Sequence, residues 1–173
     1  MLIHTTQLAT IAATLAAGDE VLLTGEVYAA RDAAHKRMCE ALSRGEPLPF
    51  DIRGQIIYYM GPAPAKPGRV IGPCGPTTAC RCDLYTPALI ERGLLGMIGK
   101  GDRGDTVIEA MKAHGCVYFA AVGGAAALIA RSVTKVEPVA YEDMGTEAIT
   151  RLSVENFPVI VAIDSRGNNL YRH

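Results

Sequence analysis

The stretch Gly72–Asp83, GPCGPTTACRCD, packs three cysteines, two threonines and an arginine into twelve residues. Two chemistries suit it: a metal or iron–sulfur centre held by thiolates, or an anion site built on hydroxyls and a guanidinium. The spacing of Cys74, Cys80 and Cys82, C-x5-C-x-C, matches neither zinc nor ferredoxin spacings, and no fourth ligand follows at a suitable interval. Cys39 and Cys116 fall on a predicted helix and a predicted strand and read as core thiols.

The threonine–arginine alternative draws support from elsewhere in the chain. Three places share one pattern, in which a strand ends, small residues follow and a polar group sits at the turn: GPTTACR at 75–81, GKG at 99–101 and GG at 123–124. Ligands of parallel α/β sheets collect at the carboxyl ends of strands. Glycines let the backbone approach a ligand closely, and helix N-termini favour anions. Arg81 can grip a carboxylate with two parallel bonds. Lys100, between glycines, offers a mobile point charge, and Arg31, at a strand-to-helix junction, could join them. Together they suggest a pocket for a small, multiply anionic ligand; the competing reading makes each a solvated surface charge. His35, one turn after Arg31, either orients a substrate-binding group or is a hydrogen-bonded structural histidine. Neither G-x-G-x-x-G nor G-x-x-x-x-G-K-[ST] occurs.

The elements that must position these groups alternate. Leu8, Ile11, Ala12 and Leu15 predict a helix over 5–17, ending at Gly18. Strands are predicted from Glu20 into Tyr28, over 55–60, 69–71, 94–98, 116–122, 133–140 and 158–164. Helices are predicted from Ala30 to near Gly45, from Thr86 as N-cap to Arg92, from Asp105 or Thr106 to Gly115, over AAALIARS, and within 142–152. GPAPAKPG is a loop. This order predicts one α/β domain over 1–173, with a central, largely parallel sheet flanked by helices.

The bulk numbers narrow the function. Lys plus Arg number 17 and Asp plus Glu 18, so no basic surplus drives nucleic-acid binding. No apolar run reaches a membrane span. The N-terminus lacks the basic region of a signal peptide, and five cysteines, an odd count, argue against a disulfide framework; the expected setting is cytoplasmic.

LLTGEVYAARDAAHKRM, IIYYMGPAPA, GPTTACRCDLYTP, GLLGMIGKGDRG, YFAAVGGAAALIA, AYEDMGTEAITRLSVENFP and IVAIDSRGNNLY cover nearly the whole chain. In this order they resemble the β subunit of two-subunit class I fumarate hydratases. That chain is similar to the C-terminal domain of single-chain enzymes and to the L-tartrate dehydratase β subunit. The resemblance implies a swivelling β/β/α-type fold and reversible hydration of fumarate to L-malate. It implies an α-subunit partner, in an α2β2 assembly, that holds a four-iron four-sulfur cluster, with no metal on this chain. The isolated chain, its partner face uncovered, is expected to self-associate. The resemblance assigns Thr77 as the acid–base residue and Arg31, Arg81 and Lys100 as substrate-binding groups. Tartrate dehydration and a non-catalytic carboxylate-binding module are the alternatives. The family reads close to GPTTSGRMD; Ala79, Cys80 and Cys82 depart from it here.

Overall fold

The central strands are apolar on both sides, so the sheet must be covered on both. The computed structural model describes residues 1–121 and 126–172. Its strands are β1 (Leu2–His4), β2 (Glu20–Ala29), β3 (Ile56–Tyr58), β4 (Gly96–Gly99), β5 (Val117–Ala120), β6 (Val133–Ala140) and β7 (Ile149–Ile163). Its α-helices are α1 (Leu8–Ile11), α2 (Asp32–Ser43), α3 (Thr86–Glu91), α4 (Asp105–His114) and α5 (Ala126–Ser132).

The seven strands form one sheet, in the order β1-β2-β3-β4-β5-β7-β6. Strands β1 to β5 pair in parallel, whereas β7 runs antiparallel to β2, β5 and β6. Ile160 of β7 pairs with Glu20 of β2 and with Ala120 of β5. The sheet therefore closes on itself through β2, β3, β4, β5 and β7. Side chains alternate across it. Val27, Tyr58, Ile98, Phe119, Phe157 and Val161 join one core, which Leu8 and Leu15 complete. Tyr28, Ile57, Met97 and Tyr118 join a second, against Met38 of α2, Leu89 of α3 and Met111 of α4. This is the expected largely parallel sheet flanked by helices.

Several local expectations change. Leu2–His4 is a strand, and the predicted N-terminal helix is a short mixed run of 3-10 and α turns. Residues 69–71 form no strand; Val70 is 53% exposed. Thr86 is not the N-cap of α3: Tyr85 takes that place, and the Thr86 hydroxyl donates to the Cys82 carbonyl. α4 starts at Asp105 after Gly104, and left-handed Gly115 ends it as anticipated. The helical stretch at 142–147 is 3-10, kinked at Gly145, and β7 begins at Ile149. Ile149, Leu152, Val154 and Phe157 are buried along that strand, so tertiary pairing decides its conformation. Gly123, Gly124 and the predicted strand end at Val122 lie outside the described residues.

The chain ends are locked by Asp164, whose carboxylate accepts from the backbone of Ala17, Arg166 and Asn168 and from the Asn168 side chain. Burial raises its pKa, but these donors outweigh that and hold it below the usual carboxylate range. Asp164→Asn, which turns one acceptor into a donor facing donors, should destabilise the fold by about 2 kcal/mol in urea denaturation.

Candidate active site

Three adjacent parallel strands end on the same edge of the sheet, and the chemistry collects there. β2 hands over to Ala30 and Arg31, β3 to Tyr59, Met60 and Gly61, and β4 to Lys100. The GPTTA segment is wedged across the last two. Thr77 donates to the Tyr59 carbonyl through both its backbone N–H, at 2.8 Å, and its Oγ1, at 3.0 Å. Its own carbonyl accepts from the Lys100 N–H at 3.3 Å, and Ala79 N–H donates to the Lys100 carbonyl at 2.9 Å. Thr77 and Lys100 are thus fixed side by side through backbone bonds.

Arg31 precedes α2 as its N-cap and is held in extended backbone, with φ −101° and ψ −172°. Its side chain lies on Gly61, where a Cβ would stand 2.7 Å from Cδ and 3.0 Å from Nη1. Only glycine leaves it that space. Asp32 and Glu147 are 3.9 and 3.8 Å from Nε, too far for hydrogen bonds, and Nε is buried without an acceptor. Arg81 lies within the 3-10 turn Ala79–Cys82 and is exposed, as is Lys100. The structure brings Thr77 and Lys100 into contact and places Arg31 at the neighbouring strand end. It leaves Arg81 on the turn that follows Thr77, pointing its charge at no acid among the described ion pairs.

What fixes the two loops is a residue that the sequence reading did not single out. Arg103, in GKGDRG, is 1% exposed. Its Nε donates to Asp83 Oδ1 at 2.8 Å and its Nη2 to Thr86 Oγ1 at 3.0 Å; its guanidinium lies 5.1 and 5.0 Å from the ring centres of Tyr59 and Tyr118. Asp83 Oδ2 also accepts the Gly104 N–H at 2.7 Å. Burial pulls the pKa of Arg103 down, but Tyr59 and Asp83 outweigh it and keep the group charged. Asp83 follows the turn that bears Arg81, and Arg103 follows Lys100, so one ion pair ties both loops. The C-terminal tail braces the second loop: Asn169 and Arg172 donate to Asp102 at 2.8 and 2.9 Å. Glycines around a charged residue hinted at Arg103, but nothing in the sequence separates a buried arginine from a solvated one.

The cysteines do not converge. Cys74 belongs to the first core and Cys82 to the second, while Cys80 is exposed. Burial pushes the Cys74 thiol up to about 11 and that of Cys82 up to about 12, so both stay protonated. Among the described residues no three histidine, cysteine or acidic side chains are placed to hold a metal ion. Of the substitutions in the motif, Ala79 and Cys82 are packing residues; Ala79 lies 3.1 Å from where a Gly99 Cβ would stand. Cys80 is turned to solvent.

Concavities of about 410, 400 and 340 Å³ lie around Arg69 and Arg131, around Phe50 and Arg92, and around Thr5 and Gln55. Arg31, Thr77, Arg81 and Lys100 line none of the three. On their edge Arg81 and Lys100 are exposed.

Two outcomes test this framework. Arg103→Met strands the Asp83 carboxylate in a largely buried place and should cost about 3–5 kcal/mol in chemical denaturation. Burial, helped by the nearby Arg103 charge, lowers the His35 pKa from 6.5 to about 4 against the opposing pull of its bond to Arg31. The unfolded chain therefore takes up a proton that the fold refuses. Stability should be full above pH 6.5 and fall by about 3 kcal/mol between 6.5 and 4. His35→Asn should flatten that part of the profile in thermal or urea denaturation across the range.

Residues 2–173 match the family described as Fumarase C-terminus. The "Fumarate hydratase class I, aerobic" of Salmonella typhimurium is 40% identical over 152 residues, which is 87% of this chain but 26% of that protein. "Fumarate hydratase 2" of Leishmania major is 38% identical over 89% of this chain and 28% of its own length. The Methanocaldococcus jannaschii protein named "Putative L(+)-tartrate dehydratase subunit beta" is 40% identical over 91% of this chain and 84% of its own. The chain spans little more than a quarter of the length of the two fumarate hydratases. With its motifs in family order and matched from end to end, the chain belongs to the Fumarase C-terminus family.

Proposed function

We propose that this chain is the β subunit of an iron–sulfur-dependent fumarate hydratase. It supplies carboxylate-binding and acid–base groups to a site completed by an α subunit that carries the four-iron four-sulfur cluster. The observation that carries the reading is the convergence of Arg31, Thr77 and Lys100 on adjacent strand ends, with Arg81 on the next turn. Exposed cations there suit a half-site that another surface covers. The tartrate dehydratase relative, named as a subunit, supports placing the remaining machinery on a separate chain.

The chemistry follows from charge. Removing a proton beside a carboxylate builds negative charge on that carboxylate, and fixed cations stabilise it most where water is excluded. Arg81 supplies a planar fork for one carboxylate, and Arg31 and Lys100 add positive charge alongside. Arg31 Nε, buried without an acceptor, is suited to a substrate oxygen. Thr77 handles the proton at the neighbouring carbon. Its hydroxyl hydrogen rests on the Tyr59 carbonyl, which aims the oxygen and leaves its lone pairs for substrate. Proton abstraction by Thr77 requires its own hydroxyl proton to pass first to a base on the covering α subunit, and the surrounding cations then stabilise the alkoxide left behind.

L-tartrate dehydration to oxaloacetate is the second reading, favoured by the 40% identity to the tartrate-enzyme subunit. The ARDAAHKRM and GPAPAKPG segments favour fumarate. Co-expression with a cluster-bearing α-type chain, anaerobic reconstitution and assay on malate, fumarate and tartrate separates them. The expected result is fast interconversion of malate and fumarate by the pair and none by this chain alone. Arg81→Lys should lower kcat/KM about 100-fold, because a point charge cannot replace two parallel bonds. Near-normal turnover in that variant removes Arg81 from the site. Carboxylate binding without turnover beside any α-type chain would make the protein a binding module.

A further inference from the structure

Among the described residues, three buried side-chain atoms lack a hydrogen-bond partner: Arg31 Nε, His35 Nε2 and Tyr59 Oη. They are not scattered. Arg31 caps α2, and His35 lies one turn further on. Tyr59 sets its ring edge-on to His35, with centres 5.3 Å apart, and its carbonyl accepts both bonds from Thr77. Arg31 belongs to the candidate site, and His35 and Tyr59 adjoin its residues.

His35 is fully buried, with Nδ1 2.6 Å from the Arg31 carbonyl oxygen. A carbonyl only accepts, so Nδ1 carries the proton and Nε2 keeps its lone pair. The same oxygen accepts the His35 backbone N–H at 3.0 Å. One residue thus holds the Arg31 carbonyl with two donors. The charged groups facing the ring are Arg103 and Asp32, and Tyr59 is its aromatic neighbour. A second proton would lie in a buried place close to the Arg103 charge.

The Arg31 side chain has little else to fix it. Its two acidic neighbours stand beyond hydrogen-bonding distance, and Gly61 offers a surface rather than a bond. Its direction is set at the backbone, where His35 acts. We propose that His35 is a positioning residue: its neutral Nδ1–H form locks the Arg31 carbonyl and so sets where the guanidinium meets a substrate carboxylate. This rests on the hydro-lyase reading above.

Asparagine and glutamine tell positioning from filling. An asparagine amide stands where Nδ1 stands, whereas a glutamine amide stands where Nε2 stands. In the reconstituted pair, His35→Asn should keep kcat/KM within about twofold of the parent. His35→Gln should lower it about tenfold, chiefly through KM, which is the worth of one buried hydrogen bond. In an Arg31→Ala background the two variants should be indistinguishable, because the effect passes through Arg31. Equal kcat/KM for Asn and Gln in the parent background overturns the proposal, as does an undiminished Gln penalty without Arg31. If a variant fails to fold, nitrogen-15 NMR of the unmodified chain at pH 7 decides: a proton on Nε2 overturns the proposal, and a neutral Nδ1–H ring supports it. A parent pair that turns over none of the three acids overturns the underlying reading, which the NMR result does not touch.

Discussion

The buried ion pair between Arg103 and Asp83 is the constraint on which the active edge depends. A guanidinium 1% exposed is tolerable only with its donors met and its charge balanced. Asp83, the Thr86 hydroxyl and the flanking rings of Tyr59 and Tyr118 do this. Each of these groups belongs to a segment that carries a site residue or its anchor. Asp83 ends the Arg81 turn, Tyr59 holds Thr77, and Arg103 itself follows Lys100. Loops that would otherwise move independently are coupled through one charge, which keeps the candidate site residues in register.

The closed sheet supplies the other half of that order. Parallel pairing from β1 to β5 brings the carboxyl ends of β2, β3 and β4 to one edge, so three loops from distant parts of the chain open side by side. Antiparallel β7 then joins β5 back to β2, which removes two strand edges. The closed ring of strands holds the bases of those three loops in fixed relation.

Much of this was legible in the sequence, for physical reasons. The strand–helix alternation was clear where periodicity and caps agreed, as in α4 with its closing Gly115. Arg31, Arg81 and Lys100 stood out as cations that follow predicted strand ends, whereas Thr77 was singled out by the family resemblance. The errors arose where distant contacts decide. Residues 149–157 pair with β2 and β6, partners that no local window contains, and so a helical pattern yields to strand. Arg69–Ile71 has strand-like residues, but 69–71 forms no strand. Arg103 and His35 illustrate the same limit at the site: the burial of a polar side chain is a property of its neighbours.

The closing strand also determines how the chain can be made. Glu20 and Ile160 are paired neighbours 140 positions apart in sequence. Until β7 is made, β2 and β5 expose unsatisfied backbone edges and the first core has a missing wall. Folding is therefore dominated by non-local contacts, which makes it slow. The chain passes through a state in which those open edges invite pairing with other chains, and chaperone protection matters most until β7 has docked.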